Sequence, residues 1–146
     1  MSKQLKEQIN LAWENRASLS PKTKGKDRDA IEASIAGLDN GSLRVASRSD
    51  DGQWLVNQWI KKAVLLGFRI HPNVVMDGGP QNGKFFDKVA NKFSGWSVTD
   101  FSKAGFRVVP PATVRRGAYI APNAVLMPSY INIGANVGEG TMVDTW

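Results

Sequence analysis

The chain has no cysteine and one histidine in 146 residues. Without cysteine there is no disulfide framework, no thiolate nucleophile and no cysteine metal site, so oxidising and reducing compartments suit it equally. No resident metal or cofactor is expected. The start, MSKQLKEQIN, lacks the long apolar core of a signal peptide, and no stretch approaches the roughly 18 apolar residues of a membrane span. The cytoplasm is the expected location, with no membrane partner. Asn40-Gly41-Ser42 has the letters of a glycosylation site, but with no secretory signal it reads as a helix stop before a strand.

Acidic residues are also short, 13 against 19 basic, for a net charge of +6. That surplus suits anionic partners without choosing among nucleic acid, a membrane surface and small acidic metabolites. The densest basic cluster, Lys22, Lys24, Lys26 and Arg28, has no interleaved aromatics and reads as a solvated loop rather than a nucleic-acid patch. With 42% apolar and 22% charged residues, the chain can build one ordinary domain with its own core.

Leu5, Ile9 and Trp13 stand four apart, which predicts a helix over residues 3–16. A second helix is expected from Asp27 or Asp29, whose carboxylates can accept first-turn N–H groups, with Ile31, Ile35 and Leu38 inward and a stop at Gly41. Asp51-Gly52 between two alternating runs predicts a tight hairpin. Trp59 to Arg69 predicts a helix with Ile60, Val64 and Phe68 on one face, and Val74 to Met76 a short strand. Phe85, Phe86, Val89 and Phe93 are expected to return to the N-terminal core, and Ser97 with Asp100 to cap a short helix that stops at Gly105.

The last third has a different rhythm. Aliphatic residues recur every six positions, most clearly at Ile131, Val137 and Val143, with Ile133 four before Val137. The windows Ile120 to Val125, Ile133 to Gly138 and Val137 to Met142 each fit one aliphatic-led six-residue pattern, and the last two overlap, so the frame is ambiguous. Six is neither the helical period nor a simple alternation. One short strand and one corner per six residues is the signature of a β-solenoid.

Several residues invite a chemical reading. Gly78 to Lys84 has the letters of a phosphate-binding loop, but Phe85 stands where a hydroxyl is needed and Pro80 removes an N–H. It reads as a plain loop. His71 reads as a turn histidine rather than a general base, and Asp50 with Asp51 as turn chemistry rather than a catalytic pair. Arg107 lies between Phe106 and Val108 just before the repeats. Its guanidinium fork suits a carboxylate, and a solvent-facing arginine is equally compatible. Asp144 follows Val143, so alternation points it out of the coil. Arg115 and Arg116 are a second cationic pair at a solenoid corner.

The repeats resemble the hexapeptide-repeat acyltransferases, and FRVVPPATVRRGAYIAPNAVLMPSYINIGANVGEGTMVDTW is similar to the tetrahydrodipicolinate N-succinyltransferases among them. GSLRVA, DGQWLVNQWIKKAVLLGFRI and KFFDKV extend the resemblance over nearly the whole chain. It implies an α+β N-terminal domain over residues 1–105 and the start of a left-handed parallel β-helix over residues 106–146, truncated relative to the family. It further implies succinyl transfer from succinyl-CoA to the amino group of ring-opened tetrahydrodipicolinate in lysine and diaminopimelate biosynthesis, by a homotrimer that binds no nucleic acid.

By the same resemblance Arg107 binds substrate, Asp144 belongs to the active site, and Met142 and Trp146 are its substrate-binding neighbours. The family's main catalytic glutamate and its CoA-binding coils would lie beyond Trp146. An inactive fragment of a longer chain is therefore expected. The alternatives are a non-catalytic hexapeptide-repeat assembly module and, third, a basic nucleic-acid-binding domain.

Overall fold

The structure, a computed structural model, describes residues 2–78 and 83–146. Three helices, α1 (Ser2–Glu14), α2 (Lys26–Asp39) and α3 (Gln58–Ile70), pack around one core. The stripe expected on α1 delivers Ile9 to that core with Leu5 and Trp13 at its margin, and α2 delivers Ile31, Ile35 and Leu38. Each fully buried aliphatic side chain there contributes about 1.5–3 kcal/mol. Gly25, not an aspartate, occupies the cap before α2, and the Asp27 carboxylate instead accepts from the Gln8 amide at 2.7 Å.

The inward face of α3 is Trp59, Ile60, Ala63, Leu66, Gly67 and Ile70. It is rotated from the Ile60, Val64, Phe68 face expected. The reason is size: a Cβ on Gly67 would lie 2.9 Å from the Ile35 side chain, so α3 presents its smallest residues where it crosses α2. Val64 and Phe68 are left at the edge.

Two ribbons flank this core. β1 (Ala46–Arg48) and β2 (Trp54–Val56) form the antiparallel hairpin expected around Asp51-Gly52, and Gly52 takes φ +80°. β3 (Val74–Asp77) pairs antiparallel with β4 (Lys84–Asp87). Gly79 to Asn82, the middle of the phosphate-loop match, lie outside the described residues, and β4 stands where such a loop requires a helix. Among the described residues β4 pairs only with β3, and Phe85 and Phe86 are 46% and 69% exposed. They do not return to the helical core, and Phe93 packs against the coil instead.

The helix α4 (Val98–Ala104) begins with a complete capping box between Ser97 and Asp100 and ends at Gly105 in the left-handed region. Seven two-residue strands complete the chain: β5 (Arg107–Val108), β6 (Thr113–Val114), β7 (Tyr119–Ile120), β8 (Val125–Leu126), β9 (Tyr130–Ile131), β10 (Asn136–Val137) and β11 (Met142–Val143). All pairing among them is parallel, β5 with β8 and β8 with β11, β6 with β9, and β7 with β10. Three narrow sheets thus enclose a coil. Its interior is the column Val108, Val114, Ile120, Leu126, Ile131, Val137 and Val143.

Those residues step by six except between Leu126 and Ile131, where the step is five. The short corner turns on Ser129, which is 6% exposed and whose hydroxyl donates to the Met127 carbonyl at 2.7 Å. This slip makes the sequence frame ambiguous. Ile133 is outside the column and packs on the helical core.

Candidate active site

Alternation within β5 turns Val108 inward and Arg107 outward, as parallel pairing demands. The Arg107 N–H donates to the Ala124 carbonyl at 2.9 Å, which fixes its backbone on the coil. Among the described residues its guanidinium has no hydrogen bond or ion pair. It opens on a cleft of about 700 Å³ whose walls include Phe85, Phe101, Phe106, Pro110, Thr113 and Trp146. Arg107 is the one charged residue among the described lining. A guanidinium over mostly apolar walls favours a carboxylate that can take two parallel hydrogen bonds.

The capping box holds α4, and with it Phe101, against this cleft. The Ser97 hydroxyl and then the Ser97 N–H hold the Asp100 carboxyl below its ordinary value. Phe93, Trp96, Phe101 and Phe106 form an aromatic cluster with centroids 5.0–6.4 Å apart.

Trp146 shares the cleft with Arg107, is 81% exposed, and its N–H donates to the Pro128 carbonyl at 2.9 Å. Met142 occupies the same outward row as Arg107, with Val125 between them, about 10 Å away at two strand spacings. Asp144 is exposed, accepts from the Thr145 N–H at 2.8 Å and is not among the residues that line the cleft. The structure therefore brings Arg107 and Trp146 together, sets Met142 on their face, and leaves Asp144 outside the lining. Asn91, Thr113 and Phe85 also line the cleft. Sequence reasoning missed them because they come from separate segments and carry no shared motif.

Other residues of interest are engaged elsewhere. Arg115 pairs with Asp87 at 2.6 Å and Arg116 with Glu32 at 3.4 Å, so both face the N-terminal part rather than a free corner. His71 Nε2 lies 2.7 Å from Glu32 Oε1 and Nδ1 lies 2.9 Å from the Gly67 carbonyl, which places it between α2 and α3 instead of on an open turn. Asp51 accepts from the Ser49 hydroxyl and the Gln53 N–H and serves the turn. Arg28 is paired with Glu32 and lies on α2, not in a loop. Among the described residues, no three His, Asp or Glu side chains converge to hold a metal, and no helix is long and apolar enough to cross a membrane.

The chain is similar to known proteins over most of its length. Residues 4–70 match the family description "Tetrahydrodipicolinate N-succinyltransferase N-terminal". A protein of Paramagnetospirillum magneticum named 2,3,4,5-tetrahydropyridine-2,6-dicarboxylate N-succinyltransferase is 59% identical over 142 residues, 97% of this chain and 50% of the relative. One of the same name from Chelativorans sp. is 56% identical over 97% of this chain and 50% of its own length. Another, from Polynucleobacter asymbioticus, is 58% identical over 94% of this chain and 50% of its own. The chain spans about half the length of the curated relatives it matches. Residues 4–70 are thus similar to the N-terminal part of the tetrahydrodipicolinate N-succinyltransferases, and nearly the whole chain is similar to about half the length of relatives so named.

Proposed function

We propose that the chain supplies the N-terminal domain and first coils of an acyltransferase that moves succinyl from succinyl-CoA to the amino group of ring-opened tetrahydrodipicolinate. What carries this reading is identity of 56–59% with proteins named for that succinyl transfer, over 94–97% of the chain. Residues 1–105 form the domain and residues 106–146 the start of a left-handed β-helix. The working enzyme is a cytoplasmic homotrimer in lysine and diaminopimelate biosynthesis, with succinyl-CoA as co-substrate and no metal.

Arg107 holds one substrate carboxylate, a role supported by its guanidinium, which among the described residues has no partner and is the one charged group of the lining. Trp146 and Met142 bound the same face. Asp144 orients the substrate ammonium or assists loss of its proton. The amine lone pair then attacks the thioester carbonyl, a C–N bond replaces the C–S bond, and CoA leaves as a thiolate that takes up a proton. Backbone N–H groups would stabilise the oxyanion.

A chimera tests the reading directly. These 146 residues are joined to the remainder of the Paramagnetospirillum relative, and thiol release from succinyl-CoA is followed with and without tetrahydrodipicolinate. Release that needs both substrates, with KM for the dicarboxylate raised at least tenfold by Arg107→Lys, is the expected result. A folded chimera with no transfer, beside an active intact relative, would sink the proposal.

A further inference from the structure

A second, smaller cavity of about 130 Å³ lies where α2 and α3 meet the coil, and it shares no lining residue with the Arg107 cleft. One wall is apolar, made by Ile35, Val64 and Phe68 with Ile133 reaching across from the coil. The other wall is polar, made by His71 and the two cations Lys88 and Arg116. That division is the ordinary makeup of a small-molecule site, with an apolar bed and a few polar groups to orient the ligand.

The charges around it do not balance. Glu32 is the one carboxylate of the cluster, shared among His71 at 2.7 Å, Arg116 at 3.4 Å and Arg28 at 3.8 Å. Among the described residues the Lys88 ammonium donates only to a neutral acceptor, the His71 carbonyl, at 3.0 Å. With His71 left out of the count, three cations still face a single acid. Half-buried cations favour a charged partner when one is within reach, and the cavity is the space that Lys88 and Arg116 share. Its volume approaches that of an apolar protein cavity of about 150 Å³ that takes up benzene.

We infer that this cavity binds a small amphipathic monocarboxylate, its apolar body against Ile35, Phe68 and Ile133 and its carboxylate between Lys88 and Arg116. The ligand would touch the helices, the segment after β4 and the coil at once. Occupancy therefore ties the N-terminal part to the coil and raises stability in proportion to the logarithm of free ligand over Kd.

The experiment uses the 146-residue chain, with benzoate and isovalerate as carboxylates, benzamide as the uncharged counterpart of benzoate, and inorganic phosphate as the anion without an apolar body. Thermal unfolding and the methyl resonances of Ile35 and Ile133 are followed at rising concentration. The expected result is a saturable rise in Tm and shift of both methyls with the carboxylates, at least tenfold weaker with benzamide and with phosphate. In Lys88→Gln/Arg116→Gln the benzoate response should weaken at least tenfold, while the ligand comparison on the unaltered chain decides the matter if that variant fails to fold. No saturable response, an equal response to benzamide or phosphate, or a rise in Tm without shifts of the Ile35 and Ile133 methyls would overturn the assignment.

Discussion

The Lys92 ammonium meets the Asp39 carboxylate at 2.8 Å with its side chain only 6% exposed. The same carboxylate accepts the Gly117 N–H at 2.8 Å, so the end of α2 is fastened both to the segment before the coil and to the coil itself. Removing the acid leaves a nearly buried ammonium with the Asp39 backbone carbonyl, at 3.0 Å, as its remaining acceptor. Removing the lysine leaves a carboxylate that is 30% exposed and still bonded to Gly117. Asp39→Ala should therefore cost about 3 kcal/mol and Lys92→Met clearly less, about 1–2 kcal/mol. Urea unfolding of the two variants checks the order; equal losses would contradict the asymmetry.

Gly117 faces Ile133 where the coil meets the helical core. It holds φ +91°, and an added Cβ would lie 2.7 Å from Ile133 Cγ1. Gly117→Ala combines left-handed backbone strain of about 1–2 kcal/mol with overpacking of about 1–3 kcal/mol. Adding Ile133→Val to this variant should relieve part of the second cost and none of the first. A double variant no more stable than the single would show that contact at this seam is not the limiting term.

Much of this architecture was legible from local rules. The stripe of α1, the Asp51-Gly52 turn and the Ser97–Asp100 capping box each depend on neighbours within a few residues. The turn also explains why the Asp51 carboxyl lies below its ordinary value, held first by the Ser49 hydroxyl and then by the Gln53 N–H. The features that local rules misplaced depend on distant partners. Phe86 is apolar enough for a core, yet among the described residues β4 finds only β3, and no local pattern reports that. Ile133 keeps six-residue company in the sequence but serves the helices, because the five-residue corner at Ser129 shifts the frame. In the candidate site, Arg107 was visible through alternation, whereas Asn91 and Thr113 became neighbours only through folding.

The inward column of the coil should be energetically distinct from the outward row beside it. Leu126 is fully buried on the middle strand of the β5–β8–β11 sheet, and Leu126→Ala should destabilise by about 2–5 kcal/mol. Met142 is 61% exposed, and Met142→Ala should stay within about 0.5 kcal/mol of the parent. Chemical denaturation distinguishes the two, and comparable losses would mean the triangular interior is not the core of residues 107–143.

Acid should loosen the contact between β4 and the coil. At the Asp87 carboxyl, partial burial acts to raise the pKa. The Lys88 N–H, the Arg115 guanidinium and the Val89 N–H together outweigh that burial and leave the pKa below its ordinary value of 3.8. A carboxyl with a lower pKa in the folded state adds stability that is full above the unfolded value and is lost as pH falls through the folded one. Since the Asp87 side chain is 39% exposed, solvent screening limits the effect to about 0.5–1 kcal/mol. Tm of the parent chain and of Asp87→Asn should therefore differ most near neutrality and draw together as pH falls below the ordinary carboxyl value. Asp51 and Asp100, also lowered, titrate alike in both proteins and cancel in the difference. A gap that persists unchanged at pH 2.5, or widens on acidification, would rule out the Arg115-held carboxylate as its source.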